Sequence, residues 1–462
     1  MSGPLRLVRP GEPAAPPSIA VVGGGFSGVA VAAQLLRRGR PVHVTLVNRF
    51  GPVGRGVAYR TRIETHVLNV PAGGMSGLPD DPEHFLRWAK GRDPAITADT
   101  HVSRRIYGEY MEFLLREAEG MAKAGVLERV VGEVLDIEAD GGGACLTFAD
   151  GSKRRVDRVV LALGNYSPAN PPAEGADFYS SERYVRDPWI RGSLDVIQPG
   201  ESVLMLGTGL TALDIALDLA GRGVKLPLRA VSRHGQLPHP HTPAKIGPHP
   251  PAELVDPPLT ARGLVRAVRR ATKSLNGNWH GAVGALRPAT AGIWEEMDVA
   301  ERSRFLRHVR PYWDVHRHRA APATRAAIDR MREAGELQIR AARVLRYETT
   351  RDGVRVLIRP RGTSSAEALF VERVVNCTGP SNDVRHLGDR LLDALCKRGL
   401  VAPDLLSLGL EVSDELALLD NHGRPSETLY LVGPLLKAKF WEATAVAELR
   451  QHAAHIAERL LP

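Results

Sequence analysis

Two glycine-rich turns, Gly23-Gly24-Gly25-Phe26-Ser27-Gly28 and Gly207-Thr208-Gly209-Leu210-Thr211-Ala212, have the residue types and spacing to hold phosphate. Each follows a short apolar run, Ser18 to Val22 and Ser202 to Leu206, and opens a helical stretch, Val29 to Arg38 and Leu213 to Leu219. In such a strand-turn-helix the first glycine makes the tight turn, the second lets the backbone approach a pyrophosphate, and the third small residue lets helix pack on strand. The helix N-terminus offers free N–H groups and a partial positive charge to the phosphates. One turn of this kind is weak evidence; two in matching contexts predict two dinucleotides in one chain.

The residue about 20 positions past the last glycine meets the ribose, and it is usually acidic for NAD and FAD. Asn48 and Ser232 stand there, and neither is acidic. Ser232 followed by Arg233 supplies what a 2′-phosphate requires: a hydroxyl, a cation able to pair bidentately, and no carboxylate to repel it. The second turn is therefore assigned NADPH, held by Gly207, Thr208, Gly209, Leu210, Thr211, Ser232 and Arg233. The first is assigned FAD, because a long loop and return strands follow it and a flavin needs them for burial. There Asn48 can bond a ribose through its amide, and Arg49 leaves a phosphate-bearing ligand conceivable.

These turns need strands and helices to position them. Pro41 to Asn48 alternates β-branched residues, so the opening is strand, helix, strand, the core of a parallel doubly wound sheet. A long glycine-rich loop, Gly51 to Pro82, precedes a helix at Arg105 to Lys123 and strands at Val126 to Phe148 and Lys153 to Leu163, which end in Gly164. Loops of that length in a compact enzyme are usually functional or disordered. In the second unit, Leu228 to Ser232 is a strand, Pro238 to Pro258 is too rich in breakers for regular structure, and Thr260 to Glu336 is mostly helical. Strands return at Leu337 to Leu357, Val371 to Val375 and Leu429 to Gly433, and Glu442 to Leu461 is a terminal helix. The predicted fold class is α/β, with two Rossmann-like three-layer domains. The expected boundaries are a flexible tail at 1–17, an FAD domain at 18–170 and 343–462, and an NADPH domain at 171–342 carrying a helical insertion or lid at about 238–336.

Composition excludes several classes. At 462 residues the chain is long enough for two or three domains, and no apolar run approaches the roughly 20 residues of a spanning helix. Residues 1–18 lack the apolar stretch of a signal peptide, so a cytoplasmic location and no membrane partner are expected. Three dispersed cysteines, Cys145, Cys377 and Cys396, contain no CxxC pair and argue against a disulfide framework or a dithiol relay. The net charge of +9 is spread along a chain that interleaves both signs, so no nucleic-acid partner is expected. A local basic face at Arg262 to Lys273 reads as a solvated helix face or an attraction for anions. Hydrolase motifs such as GxSxG and HExxH are absent.

The two turns, together with Gly54-Arg55-Gly56-Val57-Ala58-Tyr59, His66-Val67-Leu68-Asn69-Val70-Pro71, Trp313-Asp314-Val315-His316-Arg317-His318-Arg319 and Trp441-Glu442, resemble the two-dinucleotide-binding flavoproteins. That superfamily includes the flavin-containing, N-hydroxylating and Baeyer–Villiger monooxygenases and the pyridine-nucleotide disulfide reductases. The strongest resemblance is to a bacterial family described as FAD/NAD(P)-binding proteins. It implies that Gly23, Gly24, Gly25, Phe26, Ser27 and Gly28 hold the FAD pyrophosphate, with Asn48 and Arg49 toward the ribose. It places Gly54, Gly56, Asn69 and Val70 along the flavin, and Val134, Ala162, Gly164, Gly379 and Gly433 beside the cofactors. Pro434 stands where an aspartate commonly meets the ribityl chain, and a helix starting near Glu442 would aim its N-terminus at the flavin pyrimidine edge, with Trp441 nearby. Asn69 and Trp441 are the candidates for catalysis.

His316 and His318 would alternate on one face of an extended segment. They are candidates for a substrate-cavity lining, and no metal is expected because no third His or Cys stands at ligand spacing. His239, His241 and His249 receive the same reading. The function expected is that of an FAD-dependent, NADPH-using monooxygenase of a small soluble substrate, an amine or amino acid among the options, with O2 activated as a C4a-(hydro)peroxyflavin. Alternatives are an FAD-dependent NADPH oxidoreductase passing electrons to a quinone or protein and a non-catalytic FAD-binding sensor; a homo-oligomer is open.

Overall fold

The computed structural model describes residues 15–242 and 250–462. His249 and most of the N-terminal tail lie outside the described residues. The first unit runs β1 (Ser18–Val22), α1 (Phe26–Arg37), β2 (Val42–Asn48), α2 (Gly56–Tyr59), α3 (His84–Arg92), α4 (Arg104–Met121), β3 (Gly125–Val131), β4 (Val134–Asp140), β5 (Gly143–Phe148), β6 (Lys153–Val156) and β7 (Arg158–Leu161). The second runs β8 (Tyr184–Val185), β9 (Ser202–Leu206), α5 (Leu210–Gly221) and β10 (Lys225–Ser232), then the helices α6 (Ala261–Ser274), α7 (Trp279–Leu286), α8 (Thr290–Glu296), α9 (Val299–Arg304), α10 (Arg310–Arg317) and α11 (Pro322–Glu333). After these come β11 (Leu337–Thr349), β12 (Val354–Pro360), β13 (Glu367–Val371) and β14 (Arg373–Asn376). The chain closes with α12 (Arg390–Lys397), β15 (Ala417–Leu419), β16 (Pro425–Leu431) and α13 (Val446–Leu460).

The first sheet has the order β15-β16-β7-β1-β2-β3 and the second β13-β12-β11-β10-β9-β14-β8. In both, the strand preceding the glycine turn is central and parallel to its neighbours. Such strands are covered on both faces, which is why β1 and β9 are apolar without alternation. Helix α1, made largely of Ala, Val, Leu and Gly, is buried along nearly its whole length, between the sheet and helices α4 and α13.

The two units repeat one plan. Each passes from strand, helix and strand through a three-stranded antiparallel meander (β4-β5-β6; β11-β12-β13) and returns to the centre of its sheet, as β7 or β14. The start of the first strand is pinned alike in both. Ser18 donates its N–H and hydroxyl to Asp157 at 2.7 and 2.8 Å, and Ser202 donates the same two groups to Glu372 at 2.6 and 2.7 Å.

This repetition moves the expected domain boundary. β11 pairs with β10 over its first half and with β12 over its second, and β14 lies against β9, so the second unit extends to Cys377 rather than ending at 342. The apolar core of the first unit draws on residues up to Ala162 and again only from Val384. Alternation in the sequence reveals a strand but not which sheet receives it.

Candidate functional site: two phosphate cradles, a bridging loop and an apolar cavity

The first cradle is built by close backbone approach. Gly23 has φ +119°, and a Cβ there would lie 2.1 Å from the carbonyl oxygen of Ala162 at the end of β7; at Gly28 it would lie 1.8 Å from the oxygen of Gly23. A Cβ at Gly25 would meet nothing nearer than Gly56 at 3.6 Å, which leaves the mouth of the turn open. Helix α1 begins there with no side-chain cap and no acidic residue in its first turn, so its N–H groups remain for an anion. The Gly51–Pro82 loop closes over the turn through the Gly54 N–H, which donates to the oxygen of Gly24 at 2.7 Å.

Asn48 spends its amide N–H groups on the oxygens of Phe50 and Gly51, at 3.1 and 3.0 Å. Its Oδ1 is left to accept, which is what a ribose hydroxyl asks of the usual carboxylate. Arg49, by contrast, pairs with Asp389 at 2.7 Å and Glu133 at 3.2 Å. Asp389 also caps α12 and accepts from Tyr166, so Arg49 belongs to an ion-pair network and is not a free cation for phosphate. Val134 and Ala162 are buried at the starts and ends of sheet strands, and a Cβ at Gly164 or Gly379 would meet open space within 4 Å. Gly433, at φ +124°, lies over the start of α1, where a Cβ would come 3.4 Å from the Ser27 hydroxyl oxygen.

The second cradle copies the first. Gly207 has φ +109°, and its Cβ would lie 2.6 Å from the oxygen of Cys377 at the end of β14. Ser232 accepts from the Gly235 N–H at 2.9 Å and bonds Thr208, which donates to the oxygen of Gln236 at 2.6 Å. Its hydroxyl proton therefore goes to Thr208, and the residue braces the turn rather than presenting a free donor. Arg233 is exposed and makes no ion pair among the described residues. Sequence reasoning missed its company: Arg361 donates to Nδ1 of His234 at 3.1 Å, and burial together with Arg361, Arg233 and Arg343 pulls the His234 pKa down. Three arginines thus surround the end of β10, two of them brought from the meander over 100 residues away.

The long loop joins the units. Arg104 at the start of α4 pairs with Asp214 of α5 at 2.7 Å, both nearly buried, while donating to the oxygen of Val67 at 3.2 Å. Burial raises the Asp214 pKa, and Arg104 and His66 oppose the rise. His66 packs edge-on against Trp189, whose ring also carries the Arg104 guanidinium. Asn69 and Val70 sit half-buried in this bridge, and the Asn69 amide makes no hydrogen bond among the described residues.

The C-terminal segment differs from expectation. The terminal helix starts at Val446, not near Glu442, because Glu442 turns toward α10 and pairs with Arg317 at 2.6 Å while the Thr444 N–H closes on the oxygen of Glu442 at 2.6 Å. Trp441 is buried against Trp294 and Phe305, with ring centroids 4.6 and 5.2 Å away, and Lys437 lies 4.2 Å over its face. Burial, then Arg310, pushes the Lys437 ammonium down to about 8. His316 and His318 do not share an extended face, since Arg310–Arg317 is helical; Pro311 at its start suits a first turn. His316 lines a cavity of about 610 Å³ among α6, α7, α8, α10 and Trp441. His318 instead lies 3.8 Å from Asp314, and desolvation lowers its pKa. No cluster of three or more metal-ligating side chains occurs among the described residues, and no helix there is long and apolar enough to cross a membrane.

Two cradled turns at the ends of parallel sheets, joined by a loop and a helical insertion, define the fold of the two-domain FAD/NAD(P)-binding flavoproteins. Residues 20–166 match a family model described as FAD-NAD(P)-binding. A curated relative, the FAD-dependent monooxygenase pigN of Monascus ruber, is 27% identical over 253 residues, 47% of this chain. The chain matches about half the length of that relative, 49%. Among solved structures, the cadaverine monooxygenase of desferrioxamine biosynthesis from Erwinia amylovora, bound to FAD, superposes with TM-score 0.65 at 12% identity, over 96% of this chain and 94% of that one. The ornithine N-hydroxylase of Kutzneria sp. 744, with reduced FAD, NADP+ and L-ornithine, gives 0.63 at 15% identity over 97% and 100%.

Proposed function

We propose that the chain is an FAD-dependent, NADPH-using monooxygenase of a small molecule. The observation that carries this reading is the pair of equivalent glycine turns in one chain, the first covered by a long bridging loop and the second with arginines beside it. The monooxygenase relative and the fold neighbours support it.

Bound FAD would supply the redox chemistry, accepting hydride from NADPH and reacting with O2. The chain's own residues do the placing. The Gly23–Gly28 turn and the N-terminus of α1 would hold the FAD pyrophosphate, Oδ1 of Asn48 would accept from the adenosine ribose, and the Gly54–Gly56 loop would cover the cofactor. Gly207–Thr211 would hold the NADPH pyrophosphate, with Arg233, Arg343 and Arg361 toward the 2′-phosphate. The unpartnered Asn69 amide stands on the bridge between the two, available to the reacting ring system. The Arg104–Asp214 pair ties the start of α4 to α5.

The test compares the parent chain with Gly207→Val. The purified parent is expected to be yellow, to bleach with NADPH under anaerobic conditions, and to convert a substrate in step with NADPH on admitting air. Gly207→Val is expected to stay yellow and fail to bleach with NADPH. A colourless protein that ignores added FAD would overturn the reading. NADPH oxidation released wholly as H2O2 but accelerated by a quinone would replace it with electron transfer.

A further inference from the structure

We infer that the cavity in the helical insertion binds a largely apolar, ring-containing molecule that carries no positive charge. As a statement of substrate class this rests on the monooxygenase reading; as a statement about a binding site it does not. At about 610 Å³ the cavity falls within the range that takes small organic ligands. Its walls are apolar and aromatic, with Leu264, Val268, Trp279, Trp294, Trp313 and Trp441 prominent. Trp441 and Ala438, from the segment that follows Gly433, join the insertion's own core cluster, so the cavity lies where the insertion meets the first unit.

The polar complement is sparse and specific. Among the described residues no Asp or Glu lines the cavity, and Arg269, exposed at the rim, is the one lining residue with a fixed charge; His308 and Tyr312 also contribute to the wall. The hydroxyls of Thr272 and Thr290 donate to the carbonyls four residues back, Val268 at 2.8 Å and Leu286 at 3.1 Å. The His316 Nδ1 lies 2.7 Å from the oxygen of Tyr312, which can only accept, so in the neutral ring Nε2 is left as an acceptor. Trp313 keeps a buried indole N–H with no acceptor among the described residues, and the accessible polar atom of the wall is the His316 Nε2.

Two features disfavour a cation. An ammonium entering these walls would find no carboxylate, and an unpaired charge in such surroundings is strongly unfavourable. An aromatic cage could compensate by cation–π attraction, but three of the four tryptophans already carry a protein cation. Lys437 lies 4.2 Å from the Trp441 ring, Arg302 5.3 Å from Trp294 and Arg319 5.5 Å from Trp279. A diamine or basic amino acid would add a like charge to each. The cavity therefore suits a neutral or anionic aromatic compound with a hydroxyl for the His316 Nε2.

The test is calorimetric titration of the FAD-loaded full chain with 1-naphthol, 1-methylnaphthalene, L-lysine, L-ornithine and cadaverine, without NADPH. Saturable binding of 1-naphthol is expected, with the three amines weaker by about 100-fold or more. Val268→Trp, which fills the cavity, should abolish naphthol binding and leave anaerobic reduction by NADPH intact. His316→Phe, a milder change, should weaken 1-naphthol about tenfold and leave 1-methylnaphthalene unchanged. Amines binding as tightly as naphthol, or naphthol binding indifferent to both substitutions, would overturn the inference. Naphthol bound but never oxygenated would leave the site standing and count against the monooxygenase reading alone.

Discussion

Removing the Arg233 side chain should change coenzyme selectivity without disabling the enzyme. Arg233 is exposed at the end of β10, where Arg361 and Arg343 also direct positive charge, and it makes no ion pair among the described residues. A charge-assisted hydrogen bond contributes about 1.5–3 kcal/mol, and solvent exposure favours the lower end. About 1.5 kcal/mol corresponds to roughly tenfold in kcat/KM. Arg233→Ala should therefore lower kcat/KM for NADPH about tenfold, and Arg233→Ala/Arg361→Ala about 100-fold if the two act independently. NADH, lacking the 2′-phosphate, should change less than about twofold, and the NADPH preference of the parent should shrink with added salt. Ser232→Ala provides the contrast: its hydroxyl braces Thr208 and Gly235, so it should cost about 1 kcal/mol of stability and affect both coenzymes alike. The assay is anaerobic stopped-flow reduction of the bound flavin by each coenzyme. An equal fall for NADPH and NADH in Arg233→Ala, or an unchanged ratio in the double variant, would refute the assignment.

Arg104→Met should destabilise the chain by about 3–5 kcal/mol, because it strands Asp214 in the interface; Arg104→Met/Asp214→Asn should recover much of the loss in chemical denaturation, and no recovery would show that the pair is not the unit that matters. Lys437, whose ammonium is pushed down to about 8 from 10.5, should make the native state bind its proton less tightly than the unfolded chain does. Stability of the parent should then rise between about pH 8 and 10.5, by roughly 3 kcal/mol, relative to Lys437→Met. Parallel denaturation midpoints for the two proteins at pH 7, 9 and 10 would refute that.

Both glycine turns were legible as residues because their geometry is local. A tight turn at positive φ, an open mouth and an uncapped helix start are all specified within about ten residues, and Gly23–Gly28 and Gly207–Ala212 carry that information in their own side chains, or the lack of them. Helix existence in the insertion was legible for the same reason. Helix starts and sheet membership were not. Glu442 continues an apparently helical run, yet an ion pair to Arg317 from a distant element delays the helix to Val446.

The sequence by itself determined that two glycine-rich turns, two parallel sheets and a helical insertion exist, since glycine placement and apolar periodicity act over short spans. Only the tertiary structure decided what those parts meet. Arg361 and Arg343 reach the second cradle because the meander β11-β12-β13 folds back beside β10, and Arg49 is withdrawn from the first by Asp389. Four tryptophans from separate segments enclose one cavity because the insertion packs its apolar faces on the segment after Gly433. These are contacts between residues tens to hundreds of positions apart, set by which surfaces bury each other, and no local pattern encodes that choice.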